Sequence, residues 1–517
     1  MIVDELTYRI RTSMGLEPTD EQEQVIAAFC RFMTAPKNRP VFLLRGSAGT
    51  GKTTLAAAIV RGLQSLGQKL VLLAPTGRAA KVFSLYSGTP AYTIHRRIYR
   101  QRTSADIMSA FQLNYNTSQD TLFIVDEASM INNGSSLSDG YGNSEFGSGS
   151  LLDDLIEYVY GNSNNRLMLI GDRAQLPPVG QTESPALLAD VLQSYFLQVY
   201  EADLNHVLRQ SEESGILWNA TRIRSLTPRP LQRERELKLV TPKIRISGFP
   251  DIHIVRGDEL VDQLGTSYGR VGKDETIVIT RSNKRAIIYN RGIRNMVLCL
   301  EEELCSGDIL MVVKNNYSLP PSPSEGRGAS ASCAPDSPSL GGGGGEAPDF
   351  IANGDRAVVR RIRHEQQLYG FRFAEVTMTF PDYDDYELTA TVLLDTLMSE
   401  APALTREQQT QLFEGVMADY QDIPYKSERM KKLKEDRFYN ALQVKYAYAV
   451  TCHKAQGGQW AHVYVDQGYM TDDMLTPEYI HWLYTAFTRA TEHLYLVNWP
   501  EKMVNDEDED LTLKIKF

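Results

Sequence analysis

The amino-acid sequence predicts an α/β protein with two parallel-sheet domains, a small inserted β-module and helical segments. Three observations lead to this fold class. Short apolar strands alternate with helical stretches over residues 40–204, the alternation begins again at residue 275, and this second block is interrupted before it resumes at residue 445. Such alternation is typical of a parallel sheet covered by helices on both faces. The chain has 517 residues, which is enough for roughly three or four domains of about 150 residues each.

Apolar runs mark the predicted strands of both blocks. In the first block they lie at residues 41–44, 69–74, 121–126 and 167–171, and a stretch rich in helix formers, residues 54–66, follows the first of them. In the second block the predicted strands are residues 275–280, 445–451, 462–466 and 493–497, with helices at 283–297 and 477–491. Each block is therefore expected to build its own sheet.

The interruption of the second block has two parts of different composition. Residues 318–348 are rich in Pro, Ser and Gly and include five consecutive glycines, which predicts a disordered insertion. Residues 349–442 are predicted to form the β-module, because apolar and polar residues alternate at 371–378 and helical segments follow at 405–420 and 426–442. The predicted first domain is residues 1–205, with a short insertion at 96–120, and the second domain is residues 206–317 together with 443–517.

Composition and charge limit the kinds of partner, location and metal or disulfide site that we expect for this protein. The net charge of -11 argues weakly against a uniformly basic nucleic-acid binder, but a protein that slides along a strand needs only a local basic track. No apolar run approaches the roughly 18 residues of a membrane span, so we expect a soluble, cytoplasmic protein without a membrane partner. The five cysteines lack the spacing of a zinc site or of a disulfide framework.

The strongest motif is the octapeptide at residues 46–53, which lies between the first predicted strand and its helix. Its glycines allow backbone amides to turn towards nucleotide phosphates, and the helix presents its positive N-terminal end. Lys52 is expected to reach the outer phosphates and Thr53 to ligate Mg²⁺. The loop residues predicted to bind the nucleotide are Gly46, Ser47, Ala48, Gly49, Thr50, Gly51, Lys52, Thr53 and Thr54.

Polar side chains elsewhere complete the expected nucleotide site. Asp126 and Glu127 end an apolar strand, where a doubly wound sheet places its ligand-facing groups. Asp126 suits the Mg²⁺ shell, and Glu127 suits activation of the attacking water. Gln175, after the next strand, can donate a hydrogen bond to the γ-phosphate or to that water, and upstream Gln22 can bind adenine through one donor and one acceptor.

Further motifs follow in a recognisable order. Besides the loop and the Asp126-Glu127 pair, they occupy residues 74–80, 93–95, 171–175, 204–210, 449–457 and 484–490. Together these motifs resemble the superfamily 1 DNA helicases, and within them the RecD-like branch to which Dda also belongs. The resemblance covers nearly the whole chain and implies two RecA-like P-loop domains that couple ATP hydrolysis, with Mg²⁺, to DNA unwinding.

The resemblance also implies roles for individual residues. Gln22 would contact adenine, and the side chains expected to serve the phosphates and Mg²⁺ are Lys52, Thr53, Asp126, Glu127 and Gln175. Arg209 and Arg489 would reach the γ-phosphate from the facing side and stabilise charge in the transition state. Because Arg489 belongs to the second domain, hydrolysis would require the cleft between the domains to close.

DNA contacts are implied in the same way. The residues in segments that touch the single-stranded DNA backbone in the family are Thr76, His95, Thr451 and His453. The branch moves 5′-to-3′ and uses a short projection as a wedge, for which Phe111 and Tyr115 are the apolar candidates here. Ordinary packing under a short hairpin is the alternative for these two side chains. We also expect a monomeric motor that acts on single-stranded and tailed duplex DNA in repair or recombination.

The sequence departs from the family pattern at two positions. Ala455 stands where the family commonly has Ser, and Gln459 stands where it has a glutamate. The resemblance therefore leaves open one DNA phosphate contact and one polar contact near the nucleotide ribose in this chain.

Two other functions compete with a helicase. The first is an ATP-gated single-strand clamp or translocase subunit that does not unwind alone. The second is a small-molecule kinase, which shares only the phosphate loop and leaves residues 451–457 and Arg489 unexplained. A nuclease is disfavoured because no separate carboxylate-lysine or His/Asp cluster is evident.

Overall fold

The structure is a computed structural model and describes residues 2–36, 38–101, 111–134, 147–161, 164–206, 214–226, 241–314, 351–383 and 385–504. The predicted disordered insertion at residues 318–348 and the predicted site residue Arg209 lie outside the described residues. Within the described residues, no helix is long and apolar enough to cross a membrane.

The first domain is built on a six-stranded parallel sheet. In chain order, its elements are α1 (Ile2–Met14), α2 (Asp20–Thr34), β1 (Pro40–Gly46), α3 (Lys52–Ser65), β2 (Leu70–Ala74), α4 (Gly77–Ser87), β3 (Ala91–Thr93), α5 (Ile94–Ile98), β4 (Tyr99–Gln101), β5 (Phe111–Leu113), β6 (Leu122–Val125), α6 (Leu151–Tyr160), β7 (Arg166–Gly171), α7 (Ala189–Ser194) and β8 (Gln198–Leu204). The spatial order of the sheet is β3-β2-β6-β7-β1-β8, and β4 and β5 form a separate antiparallel pair.

Strand β1 shows why this sheet is covered on both faces. Phe42 and Leu44 belong to one buried apolar cluster, and Val41 and Leu43 belong to another. Successive side chains of a strand point to opposite faces, so a continuous apolar run fits a strand that is buried on both sides.

The chain then starts a second sheet and leaves it for a barrel. It passes through α8 (Gly215–Ser225), β9 (Ile252–Val255), α9 (Leu260–Val271), β10 (Thr276–Thr280) and α10 (Asn283–Gly292). The closed barrel that follows consists of β11 (Ile309–Val312), β12 (Arg356–Leu368), β13 (Phe371–Phe380), β14 (Tyr386–Leu393) and β15 (Leu442–Tyr446), with α11 (Arg406–Asp419) and α12 (Lys426–Glu435) between its last two strands.

After the barrel, the chain completes the second sheet. The remaining elements are β16 (Ala449–Thr451), α13 (Cys452–Ala455), β17 (Trp460–Asp466), α14 (Pro477–Phe487) and β18 (Ala490–Val497). All neighbours in the order β16-β10-β17-β18-β9 are parallel. The predicted α/β fold with two parallel sheets, a small inserted β-module and helical segments is thus confirmed, whereas the domain boundaries stay predictions.

One predicted strand is wrong. Residues 445–451 were expected to form a single strand of the second sheet, but the chain crosses between two sheets there. Lys445 pairs with Met311 in the barrel, and Ala449 pairs with Val278 in the second sheet. The apolar run is continuous because both strands are buried, so the sequence pattern gives no sign of the crossing.

The barrel also packs against the first domain, at the start of α4. A Cβ atom on Gly77 would lie 2.8 Å from Asp355 Oδ1 and 3.0 Å from the Tyr383 hydroxyl. The Tyr383 hydroxyl donates to Asp355 Oδ2 at 2.7 Å, and Lys81 Nζ donates to the carbonyl of Pro381. Glycine at residue 77 therefore permits the close approach of barrel and first domain.

Candidate nucleotide site and interdomain cleft

The phosphate loop connects β1 to α3 in the conformation that its glycines permit. Gly49 and Gly51 have φ angles of 78° and 80°, which L side chains rarely adopt. The Ser47 carbonyl accepts hydrogen bonds from Thr50 Oγ1 at 2.8 Å and from Lys52 Nζ at 2.7 Å. The ammonium group of Lys52 is therefore held at the loop, on the residue that follows Gly46.

The two carboxylates lie directly after β6. Burial, followed by the charge of Glu127, raises the pKa of Asp126 to about 7, although Lys52 nearby favours its charged form. The Glu127 amide donates to Asp126 Oδ1 at 2.8 Å. Glu127 itself has a φ of 52°, a left-handed conformation that costs of order 1–3 kcal/mol for a residue with a side chain and that clusters at functional sites.

Gln175 and Gln22 are both buried, but their amides differ in what they contact. Gln175 is 5% exposed, and its Oε1 atom has no hydrogen-bond partner among the described residues. Gln22 is 3% exposed and caps α2, where its Oε1 accepts from the amide of Thr19 at 3.0 Å. Gln175 thus keeps an acceptor for a ligand or water, whereas the acceptor of Gln22 is already used by its own helix.

Side chains of the second domain contact the phosphate loop. The Tyr484 hydroxyl, on α14, accepts from the Ala48 amide at 2.9 Å and donates to Asp172 Oδ2 at 2.6 Å. Burial, and then the Asp172 carboxylate, raises the pKa of Tyr484 well above its usual value, so the hydroxyl stays a donor. Arg224 Nη1, at the end of α8, donates to Ser47 Oγ. The predicted nucleotide loop therefore lies at the interface between the two domains.

The segment after β7 is bonded to the second domain as well. The Leu176 amide donates to Thr485 Oγ1 at 2.8 Å, and the Leu176 carbonyl accepts from Gln456 Nε2 at 2.7 Å. His481 Nδ1 lies 2.9 Å from the carbonyl of Ala174. Because Gln175 lies between these contacts, a shift of the second domain would move it.

Arg489 is buried within the second domain. Its Nε and Nη1 atoms donate at 3.1 Å to the carbonyls of Thr485 and Gly458, and its Nη2 atom donates to Thr488 Oγ1 at 3.2 Å. The predicted contact between Arg489 and the γ-phosphate stays a prediction, and it would require these hydrogen bonds to be exchanged.

Thr76, one of the residues predicted to bind DNA, lies beside Gly457 of the second domain. Thr76 caps α4 by accepting from the Ala79 amide at 3.3 Å, and a Cβ atom on Gly457 would lie 3.0 Å from its hydroxyl. Thr451 precedes α13 and His453 lies on it, so these two residues are close in sequence to Gly457. Burial lowers the pKa of His453, which favours its neutral form.

His95, the fourth predicted DNA contact, lies two residues after Thr93, which pairs with Ala74, two residues before Thr76. Its ring centroid is 5.6 Å from that of Tyr99, and burial lowers its pKa to about 4 although Asp154 favours the charged form. A neutral His95 can contact a DNA phosphate only as a hydrogen-bond donor and adds no positive charge.

The wedge candidates lie on and after the β4-β5 pair. Phe111 is the first residue of β5, and Tyr115, just beyond it, is 71% exposed. Residues 102–110, which follow β4 and precede β5 in the sequence, lie outside the described residues. The exposed ring of Tyr115 argues against ordinary packing for that residue.

The two departures from the family pattern also have definite surroundings. Ala455 is fully buried, and the Gln459 carbonyl accepts from Arg78 Nη2 at 2.5 Å. The Arg78 guanidinium carbon also lies 4.4 Å from the ring centroid of Trp460. At Gln459 the backbone therefore provides a contact between the domains that does not depend on the side chain.

Sequence reasoning missed the interdomain role of three residues. Tyr484 and Asp172 belong to motifs that were noted, but the pattern gave no reason to pair them. Arg224 belongs to no motif, and its only signal is a position in the basic stretch at residues 222–245.

Comparison with known proteins finds a family match in each of the two domains. A family model described as AAA domain matches residues 18–137, and one described as UvrD-like helicase C-terminal domain matches residues 446–497. The chain is 33% identical to the ATP-dependent RecD2 DNA helicase of Deinococcus radiodurans over 139 residues, which cover 26% of this chain and 16% of the relative. It is 28% identical to the ATP-dependent DNA helicase RRM3 of Saccharomyces cerevisiae over 197 residues, 35% of this chain and 23% of that one.

These matches support a resemblance to the superfamily 1 helicases of the RecD/Pif1 type. The aligned segments cover less than a quarter of each of these two relatives. A solved structure of two Pif1 helicases at forked double-stranded DNA is similar to this chain with a TM-score of 0.45 and 16% identity, covering 95% of both chains.

Proposed function

We propose that this protein is an ATP-dependent DNA helicase that translocates 5′-to-3′ on single-stranded DNA and unwinds duplex DNA. The observation that carries the proposal is the contact of Tyr484, from the second domain, with the Ala48 amide in the phosphate loop of the first domain. A ligand that binds or leaves the loop must alter this contact between the domains. ATP binding would thereby be coupled to opening and closing of the cleft, which is the movement that stepping requires.

The loop would bind the triphosphate and Mg²⁺ as follows. Backbone amides of residues 46–53 and the Lys52 ammonium group would hold the phosphates. The Thr53 hydroxyl and the Asp126 carboxylate would hold Mg²⁺, which supplies neutralisation of phosphate charge when bound. These oxygen donors fit a hard cation, and Asp126 fits in particular because a cation would favour the charged form that burial disfavours.

Hydrolysis would then depend on Glu127 and Gln175. Glu127 would accept the proton of the attacking water, and the unpartnered Oε1 atom of Gln175 is available to orient that water. Because Leu176 is bonded to Thr485 of the second domain, the position of Gln175 depends on closure of the cleft. Water activation would therefore be linked to the relative position of the domains.

DNA would cross the two domains near Gly457, which adjoins Thr76. Thr76, Thr451 and His453 are proposed backbone contacts there, and the exposed Tyr115 is proposed as part of the wedge. We further propose a monomeric, cytoplasmic motor that acts in DNA repair or recombination.

Strand displacement on matched duplexes with a 5′ or a 3′ single-stranded tail tests the proposal directly. With ATP and Mg²⁺, we expect unwinding of the 5′-tailed duplex alone. Glu127→Gln should bind ATP but neither hydrolyse it nor unwind, because the amide cannot accept the proton.

The matched control is Glu157→Gln, an exposed glutamate on α6 that should retain full activity. Unwinding from the 3′ tail would contradict the polarity. DNA-stimulated hydrolysis without unwinding of either duplex would contradict the helicase and favour a clamp or translocase subunit.

A further inference from the structure

Arg224 reaches the phosphate loop from the second domain, although no motif includes it. It is the penultimate residue of α8, a helix that packs against α14. Its Nη1 atom donates to Ser47 Oγ, and the side chain lies close enough to Tyr484 to influence the pKa of that hydroxyl. Arg224 and Tyr484 therefore approach adjacent residues of the loop, Ser47 and Ala48.

The position of Lys52 relates Arg224 to the part of the loop that serves the outer phosphates. The lysine of a phosphate loop serves the β- and γ-phosphates. In this structure Lys52 Nζ donates to the carbonyl of Ser47 at 2.7 Å, so Lys52 and Arg224 both contact Ser47. Two positive charges are thus placed at Ser47, and an anion bound there would be attracted by both of them. The arrangement therefore suits the outer phosphates.

Arg224 and Arg489 differ in which domain accepts their hydrogen bonds. The nitrogens of Arg489 donate to Thr485, Gly458 and Thr488, all within the second domain. Arg224 already donates across the domains to the hydroxyl of Ser47, an acceptor that phosphate oxygens can replace. A charged acceptor forms hydrogen bonds roughly twice as strong as a neutral one does.

We propose that Arg224 binds the terminal phosphate of a nucleoside triphosphate and lets the protein distinguish ATP from ADP. On ATP binding, the guanidinium exchanges Ser47 Oγ for oxygens of the γ-phosphate and holds α8 and α14 against the first domain. With ADP, Arg224 keeps its contact with Ser47. This inference rests on the proposed function, because it takes ATP as the ligand of the loop.

Calorimetric binding of AMP-PNP and of ADP, each with Mg²⁺, tests the proposal on the full chain. Arg224→Ala should weaken AMP-PNP binding by about 10- to 100-fold, the worth of a hydrogen bond between charged groups, and leave ADP binding unchanged. Arg224→Lys should retain part of the preference, because it keeps the charge without the planar fork. ATP turnover by Arg224→Ala should fall by about 10³-fold or more, as for arginines that stabilise transferred phosphoryl groups.

Arg222→Ala is the matched control. Arg222 lies two residues earlier on α8 and packs its guanidinium 4.7 Å from the ring centroid of Trp218. This variant should bind both nucleotides as the wild type does, and equal melting temperatures would show that the variants are folded.

The outcomes separate this inference from the proposed function. Equal weakening of AMP-PNP and ADP in Arg224→Ala, or no weakening of either, would overturn the role of Arg224 while the wild type still binds ATP. Failure of the wild type to bind any nucleotide would overturn the proposed function and the inference together.

Discussion

Removal of one hydroxyl group should loosen the cleft between the domains. In Tyr484→Phe, the ring remains but two hydrogen bonds are lost, one to Asp172 Oδ2 at 2.6 Å and one from the Ala48 amide at 2.9 Å. Tyr484 is 1% exposed, so water cannot easily replace the hydroxyl. A bond to a charged group contributes about 1.5–3 kcal/mol and a neutral one about 0.5–1.5 kcal/mol, which gives roughly 2–4 kcal/mol for the pair.

The Ala174 amide also donates to Asp172, at 3.0 Å, so the carboxylate keeps a partner in the variant. This remaining bond argues for the lower part of the range. Because the lost bonds join two domains, the loss should appear as easier separation of the domains, with little effect on either core.

Amide hydrogen exchange at Leu176 measures this opening, because that amide donates to Thr485 across the domains and keeps its acceptor in the variant. A loss of 2–4 kcal/mol corresponds to exchange that is about 30- to 700-fold faster, since each 1.4 kcal/mol is a factor of ten. The control is Tyr479→Phe on the same helix, whose hydroxyl donates at 2.6 Å to Gln467 within the second domain. That variant should not accelerate exchange at Leu176. Equal exchange rates at Leu176 in the wild type and Tyr484→Phe would refute the role given to the hydroxyl.

Two further predictions concern stability. Asp308 is fully buried and accepts hydrogen bonds from Arg294 Nε and Nη2, each at 2.9 Å, and from the Tyr448 hydroxyl at 2.8 Å. Asp308→Asn breaks this buried ion pair and should lower the free energy of unfolding by about 3–5 kcal/mol. Urea denaturation measures the loss. A loss of unfolding free energy below about 1 kcal/mol would contradict the stabilising role given to the buried Asp308–Arg294 ion pair. Burial, and then neighbouring histidines, lower the pKa of His462 to about 4 in the folded protein. In the unfolded chain the histidine pKa is near 6.5, so between these two pH values the unfolded chain binds more protons. The free energy of unfolding should therefore fall as the pH drops from about 6.5 towards 4. His462→Asn removes the titrating group, and its side chain can still bond to Ser267. The melting temperature of this variant should fall less steeply with decreasing pH than that of the wild type. An equal slope in both proteins would contradict the role given to His462.

The strands and the loop could be predicted because their signals are local. The apolar run before Gly46, the glycines of the loop and the helix formers after it lie within a few turns of one another, and the structure has β1 and α3 there. The positions of Asp126 and Glu127 at the end of a strand could be predicted for the same reason, and the strand before them ends at Val125. The roles of these side chains stay predictions until nucleotide binding is measured.

The strand predicted at residues 445–451 shows where this logic fails. Lys445 and Ala449 are both in extended, buried segments, and hydropathy alone cannot separate them. Their partners, Met311 and Val278, are more than a hundred residues away in the sequence. Pairing at this distance depends on how the barrel closes, which no local pattern encodes.

The sequence by itself determined the fold class, the phosphate loop and the order of the motifs, because each of these depends on residues that are near one another in the chain. Only the tertiary structure decided which second-domain side chains meet the loop. Tyr484 bonds to Ala48 across 436 residues, and Arg224 bonds to Ser47 across 177 residues. These contacts arise from the packing of two separately folded sheets, and the position of a side chain in such a cleft depends on the orientation of both domains.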